Sequence, residues 1–147
     1  MPQVDLELDI RAAADRVWDA IVDVERYPVS MRSVRWVRVL ERPSADVQRS
    51  AWSIDLKGSI LEWREEDHYD REGLTVRFHQ LSGDLELFDG TWVLTRLEPE
   101  LTRVTFSVSF EIGIPLLADM LNPVARRSLH ENCTEMLQGV EREALTV

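Results

Sequence analysis

From residue 101 to residue 112 the chain alternates without interruption. Val104, Phe106, Val108, Phe110 and Ile112 fall on one side, and Thr105, Ser107, Ser109 and Glu111 on the other. A period of two puts the sets on opposite faces of a strand, one apolar and one wet. A sheet of such strands must bury its apolar face against another layer. The segment that follows is the only one long enough to supply it. Ala125, Leu129, Cys133, Met136, Val140 and Ala144 recur every three or four residues, the apolar stripe of a helix of about six turns. Asn122-Pro123 reads as its N-cap and first helical residue.

The rest of the chain supplies the sheet. Residues 3–10 alternate Val4, Leu6, Leu8 and Ile10 with acids, which predicts a strand. Residues 11–24 read as a helix, with Ala14, Val17, Trp18, Ile21 and Val22 on one face. Tyr27-Pro28 breaks it, and a turn or second short helix runs to about Arg32. Further strands are predicted at 34–42, 47–57, 59–69, 74–81 and 85–97, close together as in an antiparallel meander. Turns separate them at residues 70–73, at Ser82-Gly83-Asp84 and at Glu98-Pro99-Glu100, with bends near Gly58 and Gly90. The expected product is one α+β domain over residues 1–147. A curved antiparallel sheet of about seven strands wraps around the C-terminal helix, with one or two short helices after the first strand. The space between sheet and helix is a natural site for a small molecule. Ile114, Leu116, Leu117, Met120 and Leu121, around Pro115, are expected to form a gate at its mouth. A satellite core cluster is the alternative.

Composition narrows the function classes. A chain of 147 residues buries roughly 70% of its unfolded surface, enough to fold without disulfides or metal. Cys133 is the only cysteine, so no internal disulfide and no cysteine-based metal motif is available. The net charge of −10 opposes binding to nucleic acid and to anionic lipid. The run Arg32, Arg35, Arg38 alternates with apolar residues and reads as a solvated strand face. No apolar stretch approaches the roughly 20 residues of a membrane span. The N-terminus lacks the basic and apolar regions of a signal peptide. A cytoplasmic protein is expected. Sixteen arginines against one lysine, Lys57, point to a GC-rich bacterial coding sequence.

Few residues could carry chemistry. Trp63 and Trp92 offer flat walls with an N–H handle, or plain core packing. Glu65 and Asp67 share the Trp63 face if the strand stays regular. Two carboxylates in an apolar cavity have raised pKa values, which suits a general acid or base. The alternative is that the strand twists outward and both are solvated, and the nearby turn weighs for it. Asn132 flanks the helix stripe, with Ser128 one turn earlier. Either could meet a ligand carbonyl or phenol, or Asn132 could tie the helix to the sheet. His68, His79 and His130 lack metal-ligand spacing along the chain. No metal and no cofactor is expected. Cys133 reads as an inert core thiol.

Several segments, in order, carry a resemblance. They are Ala14-Asp15-Arg16-Val17-Trp18 with Asp23 and Tyr27-Pro28, then Leu61-Glu62-Trp63-Arg64-Glu65-Glu66-Asp67 and Phe78-His79-Gln80-Leu81-Ser82-Gly83-Asp84. Phe88-Asp89-Gly90-Thr91-Trp92, Phe110-Glu111-Ile112-Gly113-Ile114-Pro115 and Asn132 complete the set. Over nearly its whole length the chain resembles the Bet v 1-like or START-like helix-grip superfamily. Within it, the chain is similar to the polyketide cyclase/dehydrase group with its aromatase/cyclases. The resemblance implies a tunnel between the inner sheet face and the long helix, lined here by Trp63, Trp92, Phe78, Phe88, Tyr27, Trp52, Ser128, Leu129, Met136, Leu117 and Leu121. It implies cofactor-free ring closure and dehydration of a poly-β-keto chain delivered by an acyl carrier protein; the residue reading above makes Asn132, Asp67 and Glu65 the candidate catalytic residues. The known aromatase/cyclases carry an important arginine on the Trp63 strand. Asp67 stands there in this chain, and Arg77 on the next strand points outward by alternation. The expected function is therefore a cyclase/dehydrase-like protein of bacterial secondary metabolism that binds an aromatic or polyene polyketide. The alternative is a non-catalytic binder that sequesters a metabolite for self-resistance or carries a quinone or lipid. A third reading is an interaction module whose tunnel is filled by side chains. A monomer and a homodimer are both compatible with the sequence.

Overall fold

A computed structural model describes residues 3–56, 59–111 and 115–146; for residue 59 and residues 115–126 it describes the backbone alone. The strands are β1 (Gln3–Ile10), β2 (Val34–Ser44), β3 (Val47–Leu56), β4 (Ser59–Asp70), β5 (Thr75–Gly83), β6 (Leu87–Glu98) and β7 (Leu101–Glu111). They form one antiparallel sheet in the order β1-β7-β6-β5-β4-β3-β2. The meander from β2 to β7 follows the sequence, and β1 closes it by pairing with β7 from Gln3↔Ser109 to Ile10↔Thr102. Helices α1 (Ala14–Val22) and α2 (Tyr27–Ser30) bridge β1 and β2, and α3 (Pro115–Leu145) ends the chain. This is the expected helix-grip architecture. Among the described residues, no helix is long and apolar enough to cross a membrane.

Alternation decides which face is inner. In β7 every second residue from Thr102 to Phe110 is buried. In β4 the same rule buries Trp63, Glu65 and Asp67 and leaves Glu62, Arg64 and His68 exposed. On α3 the buried stripe is Leu129, Asn132, Cys133, Met136, Val140 and Ala144, with Ser128 and Leu137 beside it. Gly90, where a bend is expected, marks a close approach: a side chain there would collide with the Phe78 ring and the Ser107 carbonyl. Arg35 and Arg38 lie on the exposed side of β2.

Three sequence expectations need correction. The first helix ends at Val22, and Tyr27-Pro28 opens α2 instead of breaking α1. Proline fits the first turn of a helix because that N–H has no partner in any case. The long helix begins at Pro115, so Asn122-Pro123 lies inside it and caps nothing. Leu116, Leu117, Ala118, Met120 and Leu121 are good helix formers, and together they outweigh one interior proline. Residues 115–121 are thus helical backbone, not a separate apolar segment. Their side chains, Leu117 and Leu121 included, lie outside the described residues, as do Gly58 and Ile114.

The C-terminal half of α3 is tied down. Arg26 and Ser30 both bond Glu143, Glu135 accepts the Ser33 N–H at 2.9 Å, and Arg142 donates to the Ser30 carbonyl. Gly139 leaves room for Met31. This end of the helix is held against α1 and α2, and so it fixes where Asn132 and Met136 stand over the sheet.

Candidate functional site

Between α3 and the inner sheet face lies a cavity of about 40 Å³. By the measure in which one water needs some 10–15 Å³, that is room for a few waters. Its described lining joins Trp63, Trp92, Phe78, Phe88, Tyr27 and Trp52 with Leu129, Asn132, Met136, Glu65 and Asp67. The structure therefore brings together most of the residues expected from sequence. Ser128 is buried but stands outside this lining. Sequence reading missed Ile21, Val24, Tyr69, Val76 and Phe106. Tyr69, Val76 and Phe106 sit on inner positions of strands already recognised, and period two continued through them would have found them.

The space is small because aromatic rings fill it. Trp52 and Trp63 face each other directly across β3 and β4 and stack at 5.7 Å and 7°. Tyr27 meets Trp52 edge-on at 5.4 Å. Phe88 packs on Trp63 at 4.9 Å, Phe78 on Phe88 at 5.6 Å, and Phe106 stacks on Trp92 at 3.9 Å. The result is an aromatic wall running from β3 to β7. Each such pair contributes ~0.5–1.5 kcal/mol beyond its area burial.

Two acids interrupt this apolar wall. Glu65 is 4% and Asp67 3% exposed, so the strand does not twist outward at this point. Burial raises Glu65 well above the ordinary carboxylate range, and the neighbouring charge of Asp67 and a hydrogen bond to it add to the rise. Burial raises Asp67 too, while hydrogen bonds from Glu65, Ser50 and Gln48 hold it lower. Glu65 therefore keeps the proton of the pair and Asp67 accepts it. The indoles are part of the arrangement. Trp63 Nε1 donates to Glu65 Oε1 at 2.7 Å, and Ser50 Oγ donates to Asp67 Oδ2 at 2.9 Å while accepting from Trp52 Nε1 at 2.8 Å. The Trp63 N–H, expected as a handle for ligand, orients an acid instead.

Asn132 is 5% exposed, and its Nδ2 finds no hydrogen-bond partner among the described residues. A buried donor without a partner costs about 1–3 kcal/mol. Here it lines the cavity, where a guest oxygen could accept from it. Cys133 also lines the cavity, and burial pushes its thiol up to about 12, so it stays protonated and inert. Arg77 points outward. No lysine or arginine lines the cavity among the described residues. The exposed faces of β4 and β5 hold one surprise. His68 and His79, far apart along the chain, stack at 5.6 Å.

The sequence profile of the family described as polyketide cyclase / dehydrase and lipid transport matches residues 10–137. The chain belongs to this family. A candidate polyketide cyclase of Streptomyces halstedii is 35% identical over 89 residues, which is 59% of this chain and 82% of that protein. A Thermus thermophilus protein of solved structure is 32% identical with a TM-score of 0.91, over 98% of this chain and 97% of its own. The Zhui aromatase/cyclase of Streptomyces sp. R1128 aligns with a TM-score of 0.84 over 97% of this chain and 92% of its own. At 22% identity, that likeness concerns the fold alone. The polyketide cyclase/dehydrase family and its START-like fold are thus the family and fold expected from the sequence.

Proposed function

We propose that this family member binds an aromatic polyketide-type molecule between the sheet and α3 and catalyses its aldol closure and dehydration. The observation that carries the proposal is the carboxyl pair, Glu65 and Asp67, buried together in an aromatic wall, where burial raises both and Glu65 the more. Asp67 takes a proton from a methylene between two carbonyls. The resulting carbanion attacks a second carbonyl carbon, and Glu65 delivers its proton to the new alkoxide. Dehydration then needs one proton on the departing hydroxyl and one base for the adjacent C–H. The same pair supplies both, because the first step leaves the proton on Asp67 and the charge on Glu65. Asn132 Nδ2 donates to the oxygen on which charge develops. With no cation in the described lining, neutral donors carry that stabilisation. An acyl carrier protein is the expected donor of the chain.

A ring system needs a few hundred Å³, well above the cavity of about 40 Å³. Binding therefore requires Trp63, Phe88 and the Leu129 side of α3 to repack, and tryptophan fluorescence reports it. One observation favours a second reading, a non-catalytic binder: the missing cation. Incubation with a poly-β-keto thioester mimic, followed by mass spectrometry, separates the two. The expected product is lighter than the substrate by one water or more, and Asp67→Asn and Glu65→Gln abolish its formation. A substrate that quenches tryptophan fluorescence but is recovered unchanged would establish the binder.

A further inference from the structure

We propose that Glu66, His68 and His79 form a binding site for a zinc-class divalent cation on the outer face of the sheet. The site is independent of the cavity and of the reading proposed for it. Sequence spacing does not reveal it, because the ligands come from two strands. The β4–β5 register pairs Glu66 with His79 and His68 with Arg77. Glu66 and His68 are two apart on one strand, so both project outward, and His79 joins them from across the ladder. One ligand atom from each lies within 4.8 Å of the other two. Atoms bound at about 2.1 Å to a single ion stand up to about 4.2 Å apart, so small rotations of exposed side chains close the site.

The chemistry of the set is selective. Two imidazoles and one carboxylate suit zinc, nickel or copper and are poor ligands for magnesium or calcium. Glu66 Oε1 already meets His68 Nε2 at 2.9 Å, so these two ligand atoms stand side by side and an ion would replace the proton they share. The other oxygen, Oε2, accepts from Arg49 Nε at 2.9 Å, and Arg49 is held in turn by Glu41 at 3.2 Å. That outer bond orients the carboxylate without occupying the ligand atom, the usual role of a second partner at a metal site. The His68 and His79 rings stack at 5.6 Å and 22°, so a rotation about the side-chain bonds of each is what aims a nitrogen of both at a common point. Asp89 stands opposite His79 on β6 but is not part of the cluster, so water would complete the coordination. An ion here would join β4 and β5 directly behind the strand segment that carries Glu65 and Asp67 on its inner side.

The test is calorimetric titration of zinc chloride into tag-free, chelator-treated full-length protein, followed by cobalt(II) and its visible spectrum. We expect one equivalent to bind saturably and raise the melting midpoint. The cobalt bands should lack the intense near-ultraviolet sulfur transition that Cys133 would give. His68→Ala and His79→Ala should each weaken binding at least about tenfold while leaving the metal-free melting midpoint in place. His130→Ala should bind like the parent. No saturable binding, or a one-to-one site that survives the His68→Ala/His79→Ala double variant, would overturn the assignment.

Discussion

The two faces of β4 carry the same kinds of residue and treat them in opposite ways. On the inner face Glu65 and Asp67 sit among Trp63, Trp52 and Phe88, and their carboxyls are raised. On the outer face Glu66 lies between them in sequence, and its carboxyl is lowered by its bond to Arg49, with a smaller contribution from His68. Residue type does not decide the outcome. Desolvation and a like charge work against ionisation inside, whereas a guanidinium in reach of water favours it outside. Three consecutive acids thus divide into a proton-holding pair and a conventional ion pair. The strand itself sorts them, because its period of two is also the period of the division.

The widest separation between the faces should come from Trp63→Ala. Trp63 stacks on Trp52, packs on Phe88 and orients Glu65. Removing a large buried aromatic side chain costs ~3–5 kcal/mol. Urea unfolding is expected to return a loss in that range, and a loss well below it would mean that the wall collapses onto the space left behind. In that event the inner face is more plastic than its stacked geometry implies.

Much of this arrangement is legible in the sequence, for reasons that particular residues make clear. Alternation in residues 101–112 yielded β7, and carried through Leu61, Trp63, Glu65 and Asp67 it gave the inner face of β4. The local signal pulled the other way there. Three acids beside a turn read as solvated, and only the tertiary cover from α3 and α1 overrides that reading. Asn122-Pro123 misled because a local capping signal looks the same whether or not a helix already runs through it. The size of the cavity could not be read at all. It depends on how Trp63, Phe88 and Trp92 fill space between layers, which is a matter of rotamers and not of pattern. His68 and His79 were invisible as a pair because only the β4–β5 register brings them together.

A smaller effect sharpens the comparison through pH. A carboxyl whose pKa is raised by folding stabilises the fold below its unfolded value and loses that contribution as pH rises through the folded value. The inner pair therefore makes the protein less stable as pH climbs from about 4.5. The outer Glu66, lowered by Arg49, behaves oppositely: its contribution is present above about 4.5 and disappears as pH falls below. Asp9, lowered by Arg103, follows the same rule. Among the carboxyls displaced from their ordinary values, only the inner pair then acts as pH rises above about 5. Unfolding midpoints across that window should fall with pH in the parent and fall less steeply in Glu65→Gln, where the more strongly raised carboxyl is gone and only Asp67, raised by its burial, remains. Each pH unit of a full proton difference corresponds to ~1.4 kcal/mol. A slope undiminished in Glu65→Gln would move the proton uptake away from this pair.

The smallest effect belongs to the outer face, and its smallness is the informative part. Glu66→Gln in metal-free buffer keeps the shape of the side chain and removes a charge whose partner, Arg49, has 38% of its side chain in water. A part-buried surface pair of this kind, with Glu66 at 17%, contributes modestly, because water still reaches the guanidinium and solvates it nearly as well without its partner. The melting midpoint should therefore stay near that of the parent, and any remaining gap should close in about 1 M salt, where the screening length falls to about 3 Å. Glu65→Gln should respond differently: its effect lies behind the aromatic wall, out of reach of mobile ions, and should survive the same salt. If both variants respond alike to salt, the division between the faces fails, and the inner acids must be open to solvent through a route that the packed wall does not contain.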